Sequence, residues 1–252
     1  MPFTPVTESA KRFQDKVCLV TGATSGIGRA VAVRLAREGG RVAVLGRDTD
    51  EGKKTVDTIT KAGGQAFFIR TDVGKDSQLV RAVERTVKEW GRIDVLINNA
   101  GMMTFDPIQT LAPKAWDELM DVNLRPLFRL TQLCLAHMKH GAIVAVSSVH
   151  AQQTTANVVP YAASKGATEA FVRGLSQEIP HTHARINAVA PGAVDTPMLW
   201  SNPNVKSGKE KITGQVGTTE ELAAVICFVA SPEATFVNGT TLVADGGRLA
   251  AL

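Results

Sequence analysis

Tyr161, the only tyrosine in this chain of 252 residues, stands four places before Lys165 in the segment VVPYAASKGATEA. On a helix, that spacing puts the phenol and the ammonium side by side. A tyrosine titrates near ~10, so serving as a base near neutrality takes a shift of roughly 3 units, worth about 4 kcal/mol. One ammonium at ~4 Å, with an effective dielectric of ~20, supplies about that energy. The pair reads as an acid/base couple in which Lys165 lowers the pKa of the tyrosine. Upstream, Ser147 and Ser148 end the apolar run AIVAVSS. A hydroxyl there can donate to a substrate oxygen and hold it beside the phenol, and strand alternation turns the two serines to opposite faces. A third feature is TGATSGIG, whose Gly22, Gly26 and Gly28 are spaced GxxxGxG. Glycines between a strand and a helix let the backbone approach a diphosphate, and the helix start offers free N–H groups and partial positive charge.

These groups need a frame, and the apolar periodicity supplies one. KVCLV leads into the glycine turn and then RAVAVRLAREGG, with apolar residues at helical spacing and a glycine stop. The unit repeats as RVAVLG with a helix to about Ala62, QAFFIR with SQLVRAVERTVKEW, and IDVLINN with two helical stretches reaching His140. AIVAVSS is a fifth strand, YAASKGATEAFVRGLSQEI a helix, ARINAVA a sixth strand, and TLVADGG a seventh. TTEELAAVICFVAS opens with a capping box from Thr218 to Glu221. Strands alternating with helices, each strand continuously apolar, predict an α/β fold: a single doubly wound, Rossmann-type parallel sheet covered on both faces. Ligands of such sheets bind beyond the carboxyl ends of the strands, where TGATSGIG, RTDV, NNAG, SS and APGAVDTP all fall.

Composition narrows the function. With 44% hydrophobic and 21% charged residues, the chain is that of a soluble globular protein able to bury a large core. No apolar run approaches the ~18 residues of a membrane span. The net charge of +4 is scattered among acids, which argues against a nucleic-acid partner. Cys18, Cys134 and Cys227 lie apart in apolar segments and read as small buried hydrophobes. His181 and His183 have no cysteine or carboxylate cluster around them, so no metal site is expected. Residues 1–14 read as a flexible N-terminal arm without a secretory h-region, residues 15–252 as the catalytic domain, and the cytoplasm as its location.

TGATSGIG, NNAG, Asn123, SS, YAASK and PGAVDTP, in this order and spacing from about Lys16 to Gly247, resemble the short-chain dehydrogenase/reductase family. The resemblance implies that the loop from Thr21 to Gly28, with Gly22, Thr24, Ser25, Gly26, Ile27 and Gly28, holds the diphosphate of NAD(P). It implies that Asp72 and Val73 flank the adenine, and that Asn98, Asn99, Ala100 and Gly101 brace the sheet and line the adenine-ribose side. Pro191, Gly192, Val194 and Thr196 would hold the carboxamide end of nicotinamide. The family interval selects Ser148 over Ser147. Catalysis would fall to Asn123, Ser148, Tyr161 and Lys165, with Asn123 supporting a bound water beside the lysine and Lys165 also anchoring the ribose. At the end of the second strand, Gly46 stands where NAD-preferring relatives carry Asp, and Arg47 follows as in many NADP-preferring ones. A guanidinium can clamp a 2′-phosphate. The expected cofactor is NADP(H), with NAD(H) possible.

The expected reaction is reversible hydride transfer between nicotinamide and a ketone or secondary alcohol. Substrate contacts are placed at Ser148, His150 and Tyr161, beside Ala151, Gln152, Gln153, the PGAVDTPML turn and the loop WSNPNVKSGKEKITGQVG. That loop is too rich in Asn, Pro, Gly and Lys for a long lid helix. A 3-oxoacyl-carrier-protein reductase is the alternative, with Arg125, Arg129 and Arg173 as a basic face for an acidic carrier. A sugar dehydrogenase is another. A cofactor-sensing binding protein on the same fold is the alternative from another class. The resemblance also implies a homotetramer packed through the helices around Asp117 to Met138 and Tyr161 to Ile179.

Overall fold

A computed structural model of the chain describes residues 11–180, 182–208, 212 and 214–250. Its strands are β1 (Val17–Thr21), β2 (Arg41–Gly46), β3 (Gln65–Arg70), β4 (Val95–Asn98), β5 (Gly141–Val146), β6 (Ala184–Pro191) and β7 (Thr241–Ala244). They form one seven-stranded sheet in the order β3-β2-β1-β4-β5-β6-β7, with every pairing parallel. The chain winds outward from β1 in one direction, then restarts at β4 and winds the other way. The reversal between β1 and β4 opens a crevice at the carboxyl ends of the strands.

Helices α1 (Gly26–Arg37), α2 (Thr49–Lys61), α3 (Asp76–Trp90), α4 (Pro113–Asn123), α5 (Arg125–Leu135), α6 (Val159–Glu178), α7 (Pro197–Ser201), α8 (Pro203–Lys206) and α9 (Thr219–Ala230) connect and cover these strands. Strand alternation sorts the core into two layers. Cys18, Val20, Val95 and Ile97 pack with Val31, Leu35, Leu222 and Ile226 of α1 and α9. Leu19 and Leu96 face the other way, onto Leu79, Leu127, Leu130 and Val172 of α3, α5 and α6. Asn98, two residues beyond Leu96, shares that second face.

Local signals set the helix ends. Thr218 and Glu221 form the reciprocal capping box that starts α9. Gly91, with φ 76°, ends α3. The long stretch after β4 divides at Leu124, because Pro126 cannot carry a helical N–H bond across the junction. In place of one lid helix, α7 and α8 are two short turns, each with proline at its start.

The boundary of the arm is earlier than residue 14. Phe13 is 1% exposed and belongs to the core under α1 and α9. Arg12 donates to both Glu38 oxygens, at 2.7 and 2.8 Å, and to Glu233 at 2.9 Å. An aromatic ring with a core hole to fill, beside an arginine with a buried carboxylate to meet, is enough to pin this segment. Residues 1–10 lie outside the described residues, as does His181. The ring of His183 bonds to the Leu135 carbonyl at 3.1 Å. All three cysteines are free and buried, and no described helix is long and apolar enough to cross a membrane.

Candidate active site

A cleft of about 660 Å³ runs along the carboxyl edge of the sheet. At its centre the glycine loop is shaped by close approach. Gly22 has φ +63° and Gly26 φ +50°, both favoured by glycine. A Cβ on Gly28 would lie 2.3 Å from the Gly22 carbonyl oxygen. Asn99 locks the loop from β4: its N–H donates to Thr21 Oγ1 at 2.9 Å, and its Nδ2 donates to the carbonyls of Thr21 and Gly22 at 3.0 and 3.3 Å. Ser25 precedes α1 without a side-chain cap, and the first turn has no acid. The first N–H groups of α1 are thus left for an anion. A backbone cradle that side chains would fill, at a helix start and along a cleft of this size, fits a dinucleotide diphosphate.

Thr24, Ser25, Ile27, Arg47, Asp72, Val73, Ala100 and Gly101 all line the same cleft. So do Pro191, Gly192, Val194 and Thr196 at its far end. Asp72 is set by its own turn, its Oδ1 accepting from Gly74 N at 3.0 Å and its N–H donating to Gln78 at 2.9 Å. Thr196 starts α7, accepting from Leu199 N at 3.3 Å. Gly192 passes so near β7 that a Cβ would meet Asp245 Cα at 2.8 Å. At the end of β2, a Cβ on Gly46 would come within 2.4 Å of Thr24 Cγ2. Arg47 is exposed, with no ion pair among the described residues. The neighbouring Asp48 is occupied as the N-cap of α2, accepting from Glu51 N at 3.0 Å.

Asn123 from the end of α4, Ser148 after β5, and Tyr161 and Lys165 from α6 are all buried, between 4% and 8% exposed. The Ser148 hydroxyl stands beside the phenol of Tyr161 and lowers its pKa. Ser148 Oγ accepts from His150 N at 3.2 Å. The hydroxyl of Ser147 points elsewhere, to Glu169 Oε1 at 2.9 Å. Lys165 donates from Nζ to the Val146 carbonyl at 2.7 Å, and its Nζ lies 5.5 Å from the centre of the Tyr161 ring. The His150 ring meets Tyr161 edge to face at 5.6 Å, and its Nδ1 pairs with Thr154 Oγ1 at 3.0 Å.

The electrostatics depart from the expectation that Lys165 draws the phenol down. Burial pushes Tyr161 above its ordinary pKa, and the Ser148 hydroxyl only partly opposes it. Burial likewise pulls Lys165 down to about 8. Both groups have left water, so the lysine is itself short of partners for its charge and does not override the desolvation of the phenol. Two asparagines line the small cavity behind Lys165. The side chain of Asn123 holds the loop after β4, its Oδ1 accepting from Met102 N at 2.8 Å and its Nδ2 donating to Met102 O at 2.9 Å and Ser164 Oγ at 3.1 Å. Asn98 pairs with Ala145 in the sheet, and neither polar atom of its side chain has a partner among the described residues.

Met102, Met103 and Arg248 also line the cleft and were not singled out by sequence reasoning. The methionines follow NNAG directly, and Arg248 follows the DGG turn after β7, so adjacency to a strand end was the available signal. None of Arg125, Arg129 and Arg173 lines the cleft. Arg129 pairs with Asp76 at 2.6 Å and Gln132 at 2.6 Å.

Fold and site together define a dinucleotide-dependent oxidoreductase built on a doubly wound sheet. The sequence model of the short chain dehydrogenase family matches residues 16–206, and the chain belongs to the short-chain dehydrogenase/reductase family. It is 40% identical over 248 residues to the short-chain reductase protein NovJ of Streptomyces niveus, covering 93% of this chain and 94% of that one. A Burkholderia cenocepacia short chain dehydrogenase solved in complex with NADP superposes with a TM-score of 0.86 at 32% identity, over 93% of this chain and 98% of that one. A 7 alpha-hydroxysteroid dehydrogenase, complexed with NADH and 7-oxo glycochenodeoxycholic acid, gives 0.88 at 30%, over 95% and 96%. The family binds NAD(P).

Proposed function

We propose that the chain is an NADP(H)-preferring oxidoreductase, able to use NAD(H), that interconverts a small ketone and its secondary alcohol. The observation that carries this reading is the burial of Ser148 and Tyr161 together in the cleft, with Lys165 one helical turn along α6. A nicotinamide dinucleotide supplies or takes up the hydride when bound. Gly22, Thr24, Ser25, Gly26, Ile27 and Gly28 would hold its diphosphate, Asp72, Val73, Asn99, Ala100 and Gly101 its adenosine half, and Pro191, Gly192, Val194 and Thr196 its carboxamide end. In reduction, Tyr161 gives its proton to the carbonyl oxygen, and in oxidation it takes one back. Ser148 donates to the same oxygen and keeps it against the phenol. Lys165 favours the phenolate by its charge, and the two N–H groups it does not spend on Val146 are free for ribose hydroxyls. Asn123 ties the Met102 loop to α4 and α6 and so sets one wall of the site.

Preference for the 2′-phosphorylated cofactor is supported by an exposed Arg47 without an ion pair among the described residues, and by the small space beside Thr24 at Gly46. The substrate end, lined by Met102, Met103, Met198, Leu199 and His150, favours an apolar body with the reacting oxygen at Tyr161. Exposed Phe128 on α5 and Val159 on α6 support a homotetramer packed through these helices, working in the cytoplasm. Tyr161→Phe is expected to lower kcat by about 10²–10⁴-fold while leaving dinucleotide affinity unchanged, and retained turnover refutes the assignment. A tenfold advantage of NADH over NADPH in kcat/KM refutes the cofactor preference. Tight NADPH binding with no turnover of any carbonyl or alcohol would instead identify a cofactor-sensing protein.

A further inference from the structure

Beyond β7 the chain turns back to the cleft. Pro191 pairs with Ala244 at the end of the sheet, Gly192 N donates to the Ala244 carbonyl at 3.1 Å, and a Cβ on Gly192 would meet Asp245 Cα at 2.8 Å. The turn is folded over Asp245: its Oδ1 accepts from Gly247 N at 2.9 Å, its Oδ2 from Leu249 N at 2.7 Å, and its carbonyl from Arg248 N at 3.3 Å. Both carboxylate oxygens are thus spent on main-chain N–H groups. The residue held among them, Arg248, lines the cleft.

Arg248 is half-buried, and its guanidinium has no hydrogen bond or ion pair among the described residues. The carboxylates that line the cleft, Asp48 and Asp72, follow β2 and β3 and accept from Glu51 N and Gly74 N. After β6, Asp195 accepts from Trp200 Nε1 at 2.6 Å. The segment after β6 brings Met198, Leu199 and Ile212 to the cleft wall, and a Cβ on Gly246 would lie 3.5 Å from Gln215 Cβ in that segment. A cation that has left part of its hydration beside apolar walls gains more from a delivered anion than an exposed one does, because the pair is less screened.

The strand order says which anion can reach it. With neighbouring strands ~4.8 Å apart, β7 lies about 19 Å from β1 and its glycine loop, and about 24 Å from β2 and Arg47. The phosphates of a dinucleotide on those loops stay out of reach of Arg248. By the same spacing β7 lies about 10 Å from β5, whose end carries Ser148. A reacting oxygen at Ser148 and Tyr161 and an anionic group at Arg248 therefore suit the two ends of one small molecule.

We propose that Arg248 is a substrate-recognition residue that pairs with a carboxylate of the reacting molecule, so that the substrates are oxo acids and their hydroxy acids with an apolar chain between carboxylate and reacting carbon. A guanidinium meets a carboxylate through two parallel N–H bonds. With Arg47 at β2 and Lys165 donating to Val146, Arg248 is one positive charge at this end of the described lining, which matches a carboxylate better than a phosphate dianion. The anion site stands on the turn and the cleft. That the anion belongs to the reacting molecule rests on the oxidoreductase reading above.

The test separates the two. The NADPH-loaded protein, whose nicotinamide ring is neutral, is titrated by calorimetry with heptanoate and with heptanamide, probes of one length and shape. Heptanoate is expected to bind about 10–100-fold more tightly, the range of a hydrogen bond to a charged group. Arg248→Met removes the difference and Arg248→Lys keeps part of it. Equal affinities, no binding of heptanoate, or a preference that survives in Arg248→Met overturns the proposal, and the first two need no variant to fold. Heptylphosphonate bound more tightly than heptanoate overturns it in favour of a phosphate. Turnover then reads whether the anion is the substrate's own: oxo acids from 4-oxopentanoate to 8-oxononanoate are each compared with the methyl ketone of the same length. The best oxo acid is expected to exceed its ketone in kcat/KM by about tenfold or more, and ketones reduced as well as every oxo acid overturn the proposal. A protein that prefers heptanoate yet turns over no oxo acid or ketone sinks the oxidoreductase reading and leaves the anion site standing.

Discussion

Gly28→Ala pits helix propensity against packing, and the structure decides the sign. Inside a helix, alanine is favoured over glycine by about 1 kcal/mol, so residue 28 in the first turn of α1 would gain if nothing opposed it. The new Cβ, however, would lie 2.3 Å from Gly22 O, 2.4 Å from Asn99 Nδ2 and 2.8 Å from the Gly22 carbonyl carbon. Two of these three atoms are backbone and cannot swing aside, so the loop must move bodily. That movement strains the Asn99 bond to Gly22 at 3.3 Å and endangers the pair to Thr21. Overpacking costs about 1–3 kcal/mol and each lost bond about 1 kcal/mol more, so a net loss of about 2–4 kcal/mol is expected once the propensity gain is subtracted. The loss divides between folding and dinucleotide binding, since the same loop makes the cradle. Urea denaturation and NADPH titration by fluorescence measure the two shares. Gly174→Ala, at an exposed position of α6 with nothing within 4 Å of its Cβ, is the control, expected to stabilise by about 0.5–1 kcal/mol. A Gly28→Ala variant as stable as the control and with unchanged NADPH affinity would refute the reasoning.

Lys165→Met should abolish turnover yet stabilise the fold at pH 6.5 by about 1–3 kcal/mol, because a buried ammonium is removed. The sign follows from the lysine's depressed pKa of about 8: between there and its ordinary value of 10.5 the unfolded chain binds more protons, so wild-type stability rises with pH across that window and the variant's advantage shrinks. Urea midpoints at pH 6.5 and pH 10 test this, and a constant advantage would contradict it. Gly46→Asp alone should cost stability, because its Cβ would meet Thr24 Cγ2 at 2.4 Å. Paired with Thr24→Ala, it should shift the NADPH/NADH ratio of kcat/KM toward NADH by tenfold or more, read from initial rates with both cofactors. An unchanged ratio in a well-folded double variant would remove Arg47 and Gly46 from the basis of cofactor choice.

Much of the site was legible because it is local. Tyr161 and Lys165 are one helical turn apart, and the glycines of TGATSGIG announce a close backbone approach at a strand end. The sheet was legible for a similar reason, since each strand, turn and helix repeats one apolar pattern and parallel pairing leaves few ways to join them. What escaped depends on partners distant in the chain. Arg129 looks available in sequence and is tied to Asp76, 53 residues away. Phe13 reads as part of an arm until the hole it fills under α1 and α9 is seen.

The sequence by itself determined the order of the strands' ends, the residue types that meet there and the turns that deliver them, because spacing, glycine geometry and alternation are properties of the chain alone. Tertiary structure decided how those groups behave. Asn98 and Asn99 are neighbours of one type, yet alternation sends one onto the glycine loop and leaves the other facing a cavity. Lys165 was expected to lower the pKa of the tyrosine, but burial takes both groups out of water and weights each toward its neutral form. Hydration and hydrogen-bond supply are set by everything packed around a group, and no local stretch of sequence contains them.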